Sequence, residues 1–313
     1  MRINIKNNKT YSAEEIRRAN DIANPALDKI WAMQWLSDCI HKKDEAKIET
    51  YNEYVSTLTQ TYEVILVVAG REERASIKAV IDLFDPKEGY PEIVFMPLNF
   101  SISDYASVLR RLENKTVALL AISIMEESLE LRCAYSVAKH FVTSQANQAK
   151  ISPEICVIYS ERSRTIKEDA FENEYTKMEV SHRTDPSYLA NTDPVIFILK
   201  LMGADVEAYI RGFYDCVSAP EWDTNLPLIA YRMIEFENTG IIVESWQKEY
   251  EEIAKWFARP DIRASHRQIQ MPSLSLDNEC LRICIGGREA YEDLMTPSFD
   301  GCDEDGSLQL LLN

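Results

Sequence analysis

Residues 64–70 read Val64-Ile65-Leu66-Val67-Val68-Ala69-Gly70. Five apolar residues in a row, mostly β-branched, stop at a small residue and a glycine. Unbroken apolarity over so few residues marks a strand buried on both faces, as in a parallel sheet covered by helices. The segment that follows carries Ile77, Val80, Ile81 and Phe84, an apolar stripe at helical spacing. The same alternation repeats outward. Ile93-Val94-Phe95-Met96 reads as a strand, and Tyr105, Val108, Leu109 and Leu112 fall at i, i+3, i+4 and i+7 of a helix. Val117 to Ile122 is a third strand, followed by a long helix with Leu129, Cys133, Val137 and Phe141. Ile155 to Tyr159 reads as a fourth strand and Lys177 to Val180 as a fifth. Strand–helix alternation with uniformly apolar strands predicts an α/β fold with a doubly wound parallel sheet.

The flanks are less regular. Residues 1–50 read as an N-terminal helical segment, with a capping-box spacing at Ser12-Ala13-Glu14-Glu15 and a helix start at Asn24-Pro25. The doubly wound domain is assigned to 51–190. A second, shortened α/β domain is expected over 191–299. It opens on the apolar helix from Pro194 to Met202, with helices around 206–214 and 227–237. It continues with a strand at Ile241-Ile242-Val243, a helix carrying Trp246, Tyr250, Ile253 and Phe257, and a further strand, Leu281 to Ile285. An acidic tail is expected at 300–313, ending in the leucine-rich Leu308 to Leu312.

Composition excludes several classes of function. Of the 313 residues 46% are hydrophobic, enough for real cores. No stretch approaches the ~20 consecutive apolar residues of a membrane helix, and the N-terminus lacks a secretory pattern, so a cytoplasmic protein is expected. The formal net charge of −17 repels a phosphate backbone and argues against nucleic-acid binding. Seven scattered cysteines, of which only Cys280 and Cys284 are close, predict structural thiols and no metal site. No cofactor-binding motif is evident.

From about residue 44 to 258, segments in order and with few gaps resemble the bacterial phosphoglucose isomerases. Ile65 to Glu73, followed by Ala79-Val80-Ile81-Asp82, is similar to the first strand, phosphosugar loop and helix of their sugar-isomerase (SIS) domain. Ala121-Ile122-Ser123-Ile124-Met125-Glu126-Glu127-Ser128-Leu129-Glu130 occupies the place of their I-S-K-S-G-T-T-x-E segment. Met202 to Gly212, Leu228 to Ile242 and Lys255-Trp256-Phe257 resemble later family segments. The resemblance implies a SIS-type fold, a carbohydrate derivative as ligand and a homodimer. The apolar positions Val195, Ile196, Phe197, Leu199 and Leu201 and the Trp246 stripe read as surface for that dimer. It also implies substrate-binding roles for Gly70, Arg71, Ser123 and Ser128.

The catalytic residues do not carry over. The family's glycine-rich loop corresponds to Ala69-Gly70-Arg71-Glu72-Glu73, with one glycine left to let backbone amides approach a phosphate. Glu126 and Glu127 stand in the second phosphate loop, where carboxylates compete for the same amides. The family's catalytic arginine falls at Ser187 and its glutamate near Arg263. Substitutes for a lost base are His266, Glu244 and His182, the last beside Arg183. No catalytic residue is assigned. Ser123-Ile124-Met125-Glu126 reads better as a helix capping box, with Ser123 a cap and no ligand contact. Arg71 and Arg74 could add positive charge to the cleft, but beside Glu72 and Glu73 the commoner reading is a solvated ion-pair face. Three functions are therefore expected in order. A phosphoglucose-isomerase-like binder of a carbohydrate derivative or protein partner without efficient catalysis comes first. An aldose–ketose isomerase with relocated residues and a purely structural interaction protein follow.

Overall fold

In the computed structural model the described residues are 12–31, 45–218, 241–245, 248–258, 264–268, 281–287 and 308–312. The chain divides into two compact units, one of residues 41–207 and the other of residues 1–40 with 208–313.

The 41–207 unit is built on β1 (Val64–Ala69), β2 (Glu92–Phe95), β3 (Val117–Ser123), β4 (Ile155–Tyr159) and β5 (Thr176–Glu179). They form one sheet in the order β2-β1-β3-β4-β5, parallel throughout, with Val64 in register with Glu92 on one side and Val117 on the other. Every residue of β1, β3 and β4 is buried. That is the physical reason these strands read as continuous apolar runs: helices cover both faces, so alternation has no exposed side to serve. On one face Val64, Leu66, Val68, Leu119 and Val157 meet α4 (Ile102–Leu112) and α5 (Leu129–Ala149). The α5 residues turned to the sheet are Leu131, Ala134, Tyr135, Ala138 and Val142. Alanines at 134 and 138 leave only a methyl group between the helix and the sheet. The helix α7 (Asp193–Leu201) packs against both α2 (Glu45–Thr61) and α3 (Arg71–Ile81). Between them Phe197 of α7 stacks on Tyr54 of α2 with ring centroids 6.0 Å apart. Helix α6 (Thr165–Glu172) joins β4 to β5.

Helix α7 ends by rule. Gly203 has φ +76°, its amide donates to Lys200 O, and the Ala204 amide donates to Leu199 O at 3.0 Å. This is the left-handed glycine stop that satisfies the last carbonyls of a helix. A Cβ on Gly203 would also lie within 3 Å of the Tyr90 ring and of Lys87 Cβ.

In the other unit, α1 (Ala13–Trp31) opens with the expected box: Ser12 Oγ accepts from the Glu15 amide, and Glu15 accepts from the Ser12 amide. Strands β6 (Ile241–Ser245), β7 (Ala264–Gln268), β8 (Leu281–Gly287) and β9 (Leu308–Leu312) form a second parallel sheet in the order β7-β6-β8-β9. The leucine-rich end is thus a strand, paired to β8 from Ile283↔Leu308 onward. Helix α8 (Val206–Ser218) spans the division between the units, and α9 (Glu251–Phe257) follows β6. The helix expected at 227–237, Trp246, Arg263, Cys280 and the acidic stretch 300–306 lie outside the described residues. No described helix is long and apolar enough to cross a membrane.

Candidate functional site

Strand order reverses at β1, which has β2 on one side and β3 on the other. In doubly wound sheets the crevice outside the carboxyl ends of those strands is where ligands bind. Here it is bounded by Gly70 after β1, by Ser123 at the end of β3, and by the loop from Ile124 to Ser128 that leads into α5. All four site residues expected from the sequence, Gly70, Arg71, Ser123 and Ser128, belong to these two strand ends.

Gly70 is the N-cap of α3. Its φ of −59° suits any residue, so backbone freedom is not why glycine stands there. The reason is space. A Cβ at Gly70 would fall inside the carboxylate of Glu73, which folds back over the glycine. Glu73 is the third residue of α3, only 5% exposed, and its Oε1 faces the amide of Ile124 at 3.4 Å. A carboxylate from the β1 end therefore reaches across to the β3 end. Burial pushes its pKa up, and the neighbouring charge of Glu72 adds to this. The amides of Glu73, Ile124 and Met125 pull the other way without prevailing.

The second carboxylate is Glu127, which turns away from this contact and caps α6. It accepts from Ser163 Oγ at 2.7 Å, from Ser123 Oγ at 3.0 Å, and from the amides of Arg164, Thr165 and Ile166 at 3.0–3.3 Å. Burial raises its pKa, but the hydrogen bonds from Ser163 and the backbone together outweigh that, and the net shift is downward. An ionised carboxylate at the positive end of a helix is the expected result. Glu126 parts company with it, exposed and 3.7 Å from Arg164 Nη1.

These contacts revise the capping assignment. Ser123 is fully buried and donates to Glu127; it caps nothing. The cap of α5 is Ser128, whose Oγ accepts from the Leu131 amide at 3.2 Å. Both serines precede a helix with a glutamate nearby, so the spacing alone did not separate them. Arg71, exposed at the first position of α3, lowers the pKa of Glu130 at the start of α5, after the stronger effects of Glu130's own amide and the Ser128 hydroxyl. Arg74 does not point its charge into the crevice: Nη1 donates to Met96 O at 2.9 Å and the guanidinium lies over the Phe95 ring.

The remaining candidates belong to other elements. Ser187 sits in a turn where its amide donates to Asp185 Oδ1 at 2.8 Å. His182 is exposed after β5, its Nδ1 3.9 Å from Glu161 Oε2. Glu244 and His266 occupy β6 and β7 of the other unit. Residue-type reasoning missed Glu73, although Gly70 and Glu73 stand at N-cap and N3, the spacing at which a glutamate folds back on a helix start. A cavity of about 280 Å³ also exists, lined by Tyr62, Lys115, Gln145, Ile151 and Glu154 among others. It lies where β3 and β4 begin, the edge opposite to the one where such folds bind ligands, and its Glu154 accepts from the Tyr54 hydroxyl at 2.6 Å.

No protein-family model matches the chain, and no curated protein matches it with significance. Solved structures do match. A hypothetical protein from Thermus thermophilus superposes with a TM-score of 0.72 at 12% identity, covering 96% of this chain and 86% of that one. The tagatose-6-phosphate ketose/aldose isomerase of Escherichia coli superposes with a TM-score of 0.54 at 13% identity, covering 97% and 80%. At such identities the likeness establishes architecture, and it does not single out the phosphoglucose isomerases: the chain has a doubly wound α/β fold of the kind used by a phosphosugar isomerase.

Proposed function

We propose that this chain is a cytoplasmic, phosphoglucose-isomerase-like protein that binds a carbohydrate derivative at the β1/β3 edge without efficient catalysis. The observation that carries the reading is the state of that edge. At the carboxyl ends of β1 and β3, where doubly wound folds place their ligand crevice, a glutamate of the chain itself lies from Gly70 to the Ile124 amide. Within the sugar-isomerase fold, the order of the motifs from Ile65 to Phe257 supports a phosphoglucose-isomerase-like origin. Aldose–ketose isomerisation needs a base to carry a proton between adjacent carbons and a cation beside the developing oxyanion. Among the described residues at this edge, Glu73 is committed to Gly70 and Ile124, Glu127 to α6, and Arg74 to Met96. Of the four expected positions, Arg71, the exposed cation at the mouth, and Ser128 remain the proposed ligand contacts; Gly70, under the Glu73 carboxylate, and Ser123, fully buried and donating to Glu127, shape the loops beneath them.

A homodimer belongs to the same proposal, but its surface is not α7. Val195, Phe197, Leu199 and Leu201 are all fully buried inside their own unit. Phe100, Ile102 and Leu129 are exposed apolar side chains near the ends of β2 and β3. A thermal-shift titration with hexoses, amino sugars and hexose phosphates tests the binding reading, since a ligand that binds only the folded state raises the midpoint. A dose-dependent rise with one of these sugars is expected. No rise with any of them at millimolar concentration would overturn it.

A further inference from the structure

At the ends of β1 and β3 the Glu73 carboxylate, from the first turn of α3, fills the space beside Gly70 and meets the amide of Ile124. Oε2 fills the space that a Cβ on Gly70 would need, so any side chain at 70 would displace the carboxylate from this position. Oε1 faces Ile124 N at 3.4 Å, and the amides of Met125 and of Glu73 itself act on the same carboxylate. The group is 5% exposed, and among the described residues no cation pairs with it. A carboxylate at a helix N-terminus, set against a backbone amide of the neighbouring strand end, occupies a place where proteins also hold oxyanions. Here the anion is covalently part of the protein. The contrast with Glu127 sharpens the point. That carboxylate receives two hydroxyls and three amides at ordinary distances, as a structural cap does. Glu73 has one long contact and sits in an apolar setting beside Ile124, itself fully buried.

We propose that Glu73 is a built-in occupant of an anion cradle at the β1/β3 edge. Its carboxylate holds the place that a ligand's tetrahedral oxyanion would take, so the unaltered chain excludes phosphate esters there and accepts a carbohydrate derivative without phosphate at that end. This rests on the carbohydrate-binding reading only for its second half; the occupancy of the cradle stands on the geometry of Gly70, Glu73 and Ile124.

The test uses the full chain, orthophosphate as probe and sodium chloride to match ionic strength. Calorimetry compares the wild type with Glu73→Ala, Glu73→Gln and Glu72→Gln, the last removing an exposed charge one residue away. Orthophosphate is expected to bind Glu73→Ala at least about tenfold more tightly than wild type, ~1.4 kcal/mol at 25 °C. Glu73→Gln should show a smaller gain and Glu72→Gln little change. Equal affinity of wild type and Glu73→Ala overturns the proposal, as does an equal gain in Glu72→Gln, which would mean general charge relief. If Glu73→Ala does not fold, Glu73→Gln decides: it keeps the volume of the side chain, and no gain there overturns the proposal. Glucose and glucosamine titrated into the wild type separate the two readings. Sugar binding without a phosphate gain in the variants sinks the occupied cradle alone, and a phosphate gain without sugar binding sinks the carbohydrate reading alone.

Discussion

Glu73 and Glu127 are both buried at strand ends of one sheet, yet their charges act on stability in opposite senses. Glu73 has a folded-state pKa above its ordinary value of 4.5, because burial disfavours the carboxylate. Its contribution is therefore fully present below pH 4.5 and is lost as pH rises from there through the folded value. Glu73→Gln should remove that loss: urea unfolding at pH 7 should show the variant more stable than wild type, with the advantage vanishing at pH 4. Glu127 has a folded pKa below 4.5, so its contribution is present at neutral pH and lost as pH falls below 4.5 through the folded value. Glu127→Ala leaves Ser163 Oγ and the α6 amides without their acceptor. It should cost about 1–3 kcal/mol at pH 7 in the same measurement. The sequence placed both Glu126 and Glu127 in the crevice as competitors of a phosphate. Three-dimensional placement separates them, since one faces solvent and Arg164 while the other is consumed by a helix start. Which of several adjacent carboxylates turns inward depends on the path of the loop, and local residue type does not encode it.

At the scale of elements, the strands were the most legible feature. β1, β3 and β4 are buried on both faces, so every residue in them is apolar or small, and such runs are short enough to be strands and little else. β5 is less buried, and its expected bounds, 177–180, differ from Thr176–Glu179 by one residue at each end. Helix starts were harder, as at Ser123 and Ser128, because a strand end and a helix start four or five residues apart draw on the same hydroxyl residues. Helix stops make a prediction of their own. Gly203→Ala forces a Cβ into a left-handed residue and against Tyr90 and Lys87, so it should cost about 1–3 kcal/mol in chemical denaturation. Lys150 ends α5 in the same left-handed conformation, with φ 57° and no glycine. Lys150→Gly should be stabilising by up to ~1 kcal/mol, and a loss of that size in the same experiment would argue against the stop as described.

For the whole molecule, the fold was readable from strand–helix rhythm, while the proposed occupant of the β1/β3 edge rests on one contact between positions 51 residues apart, Glu73 and Ile124. The expected dimer should scatter light as twice the 36.0 kDa chain. A mass of one chain at every accessible concentration contradicts it. The central claim is that this chain, for all its architectural likeness to a sugar-phosphate isomerase, does not isomerise phosphosugars. An enzyme of this reaction class works at about 1–10³ turnovers per second. Loss of an oxyanion-stabilising group and of a general base together removes roughly 10⁴–10⁷ of rate. The most direct measurement is a coupled dehydrogenase assay of glucose-6-phosphate and fructose-6-phosphate interconversion on the purified chain. The account predicts no turnover above that of a mock purification. Turnover near one per second or faster, abolished by substituting a residue of this chain such as His182 or His266, would contradict it.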